Sequence, residues 1–368
     1  MNLIHASTRA LIGWMLAVLG SAALPGLEAQ AQAQTLPKQT LSVSIGDPIL
    51  SVHNGNIIGV PIAGGLYERN GIQAKWTGTQ GATLSMQAAL AGSVDVAVGG
   101  TSAAFLVAAS APNARIIRLD AANVWNIAVP GDSRIKTIAE LKGKRIGVQA
   151  LAAAGYLFAR GIVAAAGLDP DADVRWVPVG VGAQAASAIR SGEIDAYGAN
   201  YGITAQFARR VSQGMRFLPS AFDELPNGFA VVVSAEQIQK NRPALVAFLK
   251  SYNEGIVLSA ANPAMGVTLH WNAFPNQRPS GTPLPEAIAE TAEGLTRSWG
   301  AFATPSADGR LGIANREALA KLQDLYLRHG ITKKAIDIDR VFDLSMADEA
   351  ARRTDVDALK RTAAAWRP

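Results

Sequence analysis

The chain carries one stretch twice. Residues 91–99 read AGSVDVAVG and residues 191–199 read SGEIDAYGA. In each, a helix-like run ends at a glycine (Gly92, Gly192). A spacer follows, then a β-branched residue (Val94, Ile194) and an aspartate (Asp95, Asp195), the two copies a hundred positions apart. Upstream, AKW ending at Trp76 is echoed by VRW ending at Trp176. A chain that repeats a piece at this spacing is building the same supersecondary unit twice.

The flanking patterns define that unit. LSVSI (41–45) alternates and reads as a strand, and the turn-rich loop GDPILSVHNG follows it. NIIGVPIAGGLYERNG reads as a helix ending near Asn70-Gly71, IQAKW as a strand, and GATLSMQAALAG as a helix stopped at Gly92. VDVAVGG is then a strand running into the helix AAFLVAAS. The second half repeats the order. RIGVQ is a strand, ALAAAGYLFARGIVAAAG a loop and helix, DVRWVPV a strand, GAQAASAIRSG a helix and EIDAYGA a strand. Each half is β-α-β-α-β, which implies parallel sheets with right-handed crossovers.

The expected fold is therefore α/β, with two βαβ lobes whose parallel or mixed sheets are flanked by helices. NVWNIAVPGD (123–132) joins them. Beyond 224 the pattern changes to one strand, GFAVVVSAE, and then mostly helices. RPALVAFLKSYNEGIVLSA puts Leu245, Phe248, Leu249, Tyr252 and Ile256 on one face. NREALAKLQDLYLRHG opens at Asn315 as N-cap and stops at Gly330. These helices need a lobe to cover. We therefore expect lobe 1 to be discontinuous, 38–125 plus 224–368, with lobe 2 at 126–223. Open parallel sheets bind ligands at the carboxyl ends of their strands. The loops there are DPILSVHNG, TGTQGATL, GGTSAA, QALAAAG, GVGAQ and ANYG, rich in Gly, Ser, Thr and Asn and without Arg or Lys.

Composition limits the function classes. The net charge is +5, and the basic residues are scattered without aromatic interleaving, which argues against nucleic acid as a partner. The chain has no cysteine, which excludes thiol catalysis, thiolate zinc sites and iron–sulfur clusters. No G-x-S-x-G, H-E-x-x-H or P-loop signature is present, and no pattern calls for a cofactor or metal. At the N-terminus, Arg9, the apolar run ALIGWMLAVLGSAAL and the small-residue stretch EAQAQAQ have the layout of a secretory signal peptide over 1–33. Cleavage is expected near Ala31 or Ala33, which places the mature chain in the periplasm.

The segments IKTIAELKGKRIGVQ, AALAGSVDVAVGGTSAAFLVAA and IRSGEIDAYGANYG together resemble the nitrate/sulfonate/taurine-type substrate-binding proteins of ABC importers, which are type II periplasmic binding proteins. The likeness covers roughly residues 41 to 260. Where sulfonate-type members often carry a Trp-x-Pro-type sequence, this chain reads Asn200-Tyr201-Gly202. The resemblance implies a monomeric bilobal receptor that closes on one small solute and hands it to a membrane permease with its ATPase. The implied solute is polar or anionic: sulfonate-, taurine- or nitrate-like, or a carboxylate. Two alternatives stay open. One is an enzyme of the same fold resembling thiamine-pyrimidine synthases, whose cysteine-rich motif is missing here. The other is a sensory solute receptor for a membrane kinase.

The candidate ligand residues come from the cleft loops and the joints. Gly81, Ala82 and Thr83 open the first repeat helix, as N–H donors or as an ordinary first turn. Thr101 and Ser102 stand at the next helix start, as ligand donors or as caps. His53 and Asn54 sit in the first loop, and Asp47 beside Pro48 reads as a turn residue. Asn123 and Trp125 lie at the first crossover, Asn227 at the return. Tyr156, Asn200 and Tyr201 belong to lobe 2. Trp76 and Trp176 read as packing residues. Asp95 and Asp195 read as junction residues rather than an acid/base pair, because they lie at the strand ends away from the cleft.

Overall fold

The computed structural model describes residues 39–223 and 227–367. The expected signal peptide lies outside these residues, and so does position 224, where the return to lobe 1 is expected. The strands are β1 (Gln39–Ile45), β2 (Ile72–Gly78), β3 (Val96–Gly100), β4 (Ala114–Leu119), β5 (Trp125–Pro130), β6 (Arg145–Val148), β7 (Arg175–Pro178), β8 (Ala196–Asn200), β9 (Met215–Phe217) and β10 (Phe229–Ser234). They form two sheets of the same design, β2-β1-β3-β10-β4 and β7-β6-β8-β5-β9. In each, the first three strands are parallel. The fourth is antiparallel to its neighbours. The molecule is thus a two-lobe α/β fold with mixed sheets.

The registers show how closely the units repeat. Val43 pairs with Trp76 and with Val96 in one sheet. Ile146 pairs with Trp176 and with Ala196 in the other. Gly92 and Gly192 have φ of 74° and 69°, the left-handed conformation that stops each helix before the next strand. Asp95 then binds back to β1, its Oδ2 accepting from the Ser42 N–H and hydroxyl at 2.7 Å each. Asp195 does the same for β6, accepting from the Arg145 N–H at 2.8 Å and from its guanidinium at 3.0 Å. Both aspartates are strand ties, far from the facing strand ends.

Three departures from the sequence expectation have plain causes. Residues 123–132 are not a bare joint but contain β5, because Trp125, Ile127 and Val129 alternate into the core. Residues 56–71 do not form one helix. They form two short helices, Gly59–Ala63 and Leu66–Arg69, broken at Gly64-Gly65. The C-terminal helices also reach lobe 2 rather than covering lobe 1 alone. The helix Leu284–Phe302 packs on the helix Tyr201–Ala208, with Arg297 Nη2 donating to the Tyr201 hydroxyl at 3.0 Å.

The helix Ala235–Ala261 buries Leu245, Phe248, Leu249, Tyr252 and Ile256 completely. It kinks at Asn241, just before Pro243, whose ring cannot continue a regular helix. The helix Arg316–Arg328 is capped by the Asn315 side chain, which accepts from the Ala318 N–H at 2.8 Å. Among the described residues no helix is long and apolar enough to cross a membrane.

Two predictions follow from these contacts. Asp95→Ala removes a carboxylate that accepts two hydrogen bonds, and should cost roughly 1.5–3 kcal/mol in urea unfolding. Solute binding should be untouched; a large loss of binding at native stability would give Asp95 a role we exclude. The second concerns His270, fully buried with Nε2 3.1 Å from Gln277 Oε1. Burial pushes its pKa down to about 4 from the ordinary 6.5. The unfolded chain therefore takes up this proton first. The stability is complete above the unfolded value and is lost as pH falls from about 6.5 through about 4. A His270→Gln variant should show a flatter stability profile across that window; an identical slope would remove His270 as its source.

Candidate functional site

The carboxyl ends of the parallel strands in both sheets face one another and enclose a cavity. Lobe 1 contributes Ile45 at the end of β1 with Gly46 and Asp47 after it, Gly99 and Gly100 at the end of β3, and Ala82 at the first turn of the helix Ala82–Leu90. Lobe 2 contributes Gln149 after β6, Gly198, Ala199 and Asn200 at the end of β8, and Ala153, Ala154 and Gly155 at the start of the helix Ala154–Ala165. Trp125 and Phe229, one from each crossover strand, form the floor, their rings stacked at 5.8 Å and 15°.

The cavity is shut. Its free volume is about 20 Å³, room for one water molecule. The lobes meet directly around it. Gln149 Nε2 donates to the Gly46 carbonyl at 3.1 Å, and the Ser102 hydroxyl to the Ala154 carbonyl at 3.1 Å. Outside the lining, Gln206 Nε2 reaches His53 Nδ1 at 2.5 Å. Small residues make this approach possible. A Cβ at Gly100 would stand 2.4 Å from both Ala154 Cβ and Trp125 Cζ2, so only glycine fits while the lobes are closed.

Beside Gln149 and Asn200, two polar groups stand out in a lining of mostly small and apolar residues. The Trp125 indole N–H is buried and has no hydrogen-bond partner among the described residues. Asp47 is 5% exposed, and its Oδ2 accepts from His53 Nε2 at 3.1 Å and Asn54 Nδ2 at 2.6 Å. Burial is the largest influence on its pKa and pushes it up. The charge and hydrogen bond of His53, with the Asn54 and Gln149 amides, outweigh this and hold the carboxyl below the usual range. Sequence reading takes Asp47 for a turn residue. The signal that reveals it is the local cluster Asp47, Ser51, His53 and Asn54, since a buried carboxylate needs several donors close in sequence or space.

The structure sorts the expected ligand residues into groups. Ala82, Trp125 and Asn200 line the cavity. Asn200 also caps the helix Tyr201–Ala208 by accepting from the Ile203 N–H at 2.8 Å. His53 and Asn54 stand behind Asp47 as its donors. Gly81, Thr83 and Ser102 lie at the contact between lobes, where Thr83 N–H faces the Ala152 carbonyl at 3.5 Å and a Cβ on Gly81 would meet that same carbonyl. Thr101, Asn123 and Asn227 tie down the crossovers. The Thr101 hydroxyl donates to the Gly228 carbonyl at 2.8 Å. Asn123 brackets the Trp125 backbone with two bonds of 3.0 Å. Asn227 Oδ1 accepts from the Tyr326 hydroxyl at 2.6 Å. Tyr156 packs edge-on to Trp176, and Tyr201 packs against Phe217 under Arg297, both outside the lining.

Two α/β lobes with a shut cavity between their facing strand ends are the architecture of a type II periplasmic binding protein. Residues 54–265 match the family described as NMT1/THI5 like, and the chain belongs to that family. No curated protein sequence matches it. Solved structures similar to it include the periplasmic aliphatic sulphonate binding protein of Escherichia coli, at 19% identity and a TM-score of 0.59, covering 84% of this chain and 99% of that one. Another is the periplasmic nitrate-binding protein of Synechocystis PCC 6803, at 15% identity and a TM-score of 0.61, covering 88% and 91%. A third is a ligand binding component of an ABC-type import system from Staphylococcus aureus, at 15% identity and a TM-score of 0.62, covering 86% and 100%.

A Gly100→Val variant tests the closure geometry. It should keep the lobes apart, read as a larger radius of gyration than the parent in solution scattering. The radius should stay unchanged only if the parent is itself open in solution or the close approach at Gly100 is not made.

Proposed function

We propose that this protein is an exported solute receptor, acting as a monomer in the periplasm and delivering a small, partly polar organic solute to an ABC importer. The solute is carried without chemical change. The observation that carries the reading is the interlobe cavity: it lies at the facing strand ends, is floored by stacked aromatics and is closed by hydrogen bonds that run from lobe to lobe. The similar structures are named as binding proteins or ligand-binding components of import systems, which supports the same role here. With room for about one water in the closed form, a solute enters only when the lobes part, and closure then wraps it.

The expectation is tested on protein recovered from the periplasm of cells expressing the full chain. Its N-terminus should be Gln32 or Gln34. Native mass spectrometry should find one small molecule bound per chain, and stripping it should expand the protein in solution scattering. A cytoplasmic protein with Met1 intact, or one whose shape ignores every bound solute, would defeat the reading.

A further inference from the structure

We infer that the solute presents an N–H-bearing nitrogen group, uncharged or cationic, to Asp47, and that the cavity rejects oxyanions. This rests on the receptor reading above and names the class of solute for that site.

Asp47 is the one ionisable residue that lines the cavity among those described. No lysine or arginine joins it there. Its two short hydrogen bonds, from His53 Nε2 and Asn54 Nδ2, both fall on Oδ2, and Oδ1 takes neither. Gln206 Nε2 and the Ser51 hydroxyl both approach His53 Nδ1, at 2.5 and 2.8 Å, and hold the ring with Nε2 facing Asp47. The carboxylate is thus held by donors from its own loop and faced across the cleft by the Gln149 amide of the other lobe, whose place a donor on the solute takes when the lobes part. An anion brought into a closed, water-poor cavity beside it meets repulsion that little solvent screens. An N–H group meets attraction and takes over the hydrogen bond that the Gln149 amide otherwise makes.

Two hydroxyls that could greet an oxyanion are already engaged. The Thr101 and Ser102 hydroxyls, at the start of the helix Thr101–Ala108, donate to the Gly228 and Ala154 carbonyls. The fully buried unpaired side-chain donor in the lining is the Trp125 indole N–H, which asks for a neutral acceptor on the same solute. The Trp125 and Phe229 rings beside it suit an apolar or flat portion.

The test uses four probes of nearly one shape, benzamidine, benzamide, benzoate and benzenesulfonate, titrated calorimetrically into the mature protein stripped of any solute. Benzamidine or benzamide should bind at least about tenfold more tightly than either anion. Asp47→Asn should erase that preference, and Asp47→Ala serves if the first variant fails to fold. Anions that bind as well as the nitrogen probes, a preference that survives loss of Asp47, or nitrogen probes weaker than millimolar would each overturn the inference. Native mass spectrometry separates its failure from that of the receptor reading. An oxyanion found in the cavity overturns the inference and leaves the receptor; no solute of any kind, with no probe bound, removes both.

Discussion

The two segments that pass between the lobes are hydrogen-bonded to each other, and the rest of the structure depends on that pairing. The Asp120 N–H donates to the Phe229 carbonyl at 2.8 Å, and the Gly228 N–H to the Asp120 carbonyl at 3.1 Å. Thr101 adds its backbone N–H and its hydroxyl to the Gly228 carbonyl. The lobes are therefore joined by a paired ribbon rather than by two independent strings. The cavity lies directly above it, so its floor residues, Trp125 and Phe229, are the first residues of β5 and β10.

A buried ion pair anchors that ribbon on the lobe 1 side. Arg118 is fully buried, bonded to Asp120 Oδ1 at 2.9 Å through Nε and lying 4.3 Å over the Tyr252 ring. Burial drives the Asp120 pKa up, and Arg118 with the Tyr252 hydroxyl pulls it only part of the way back. Such a pair contributes little net stability, but losing either partner strands a charge in the core. Its value here is positional. It fixes the chain just before the first crossover to the long helix Ala235–Ala261, which begins immediately after the second strand crosses back.

The order of strands and helices was legible because several helices end at a glycine stop, as at Gly92, Gly167 and Gly192, and most strands are short with β-branched residues. By sequence Ala82, Trp125 and Asn200 belong to the cleft loops and joints, and these three lie in the cavity lining. What sequence could not supply was partner choice across long separations. Tyr201 follows β8 as a cleft residue should, yet Arg297 from a helix nearly a hundred positions away draws its hydroxyl aside. Asp47 reads locally as a turn aspartate beside proline, and only the folded loop brings His53 and Asn54 onto it. β5 was overlooked because its short run WNIAVP sits between turn residues and reads as a joint, and its place in the sheet comes from β8 and β9 on either side.

The repeat explains where specificity can reside. The strand ties Asp95 and Asp195, the glycine stops and the sheet registers are equivalent in the two halves, so they build two matching frames and nothing that distinguishes one solute from another. The registers align Ile45 with Val148, since these pair with Val98 and Gly198 in their respective sheets. The next positions are then Gly46-Asp47 in one lobe and Gln149-Ala150 in the other. There the copies diverge, and there they touch, through the bond from the Gln149 amide to the Gly46 carbonyl. One lobe offers a carboxylate and a bare backbone, the other a neutral amide beside a methyl group. Duplication thus supplies the cleft, while the few strand-tip positions that escaped it supply the chemistry inside.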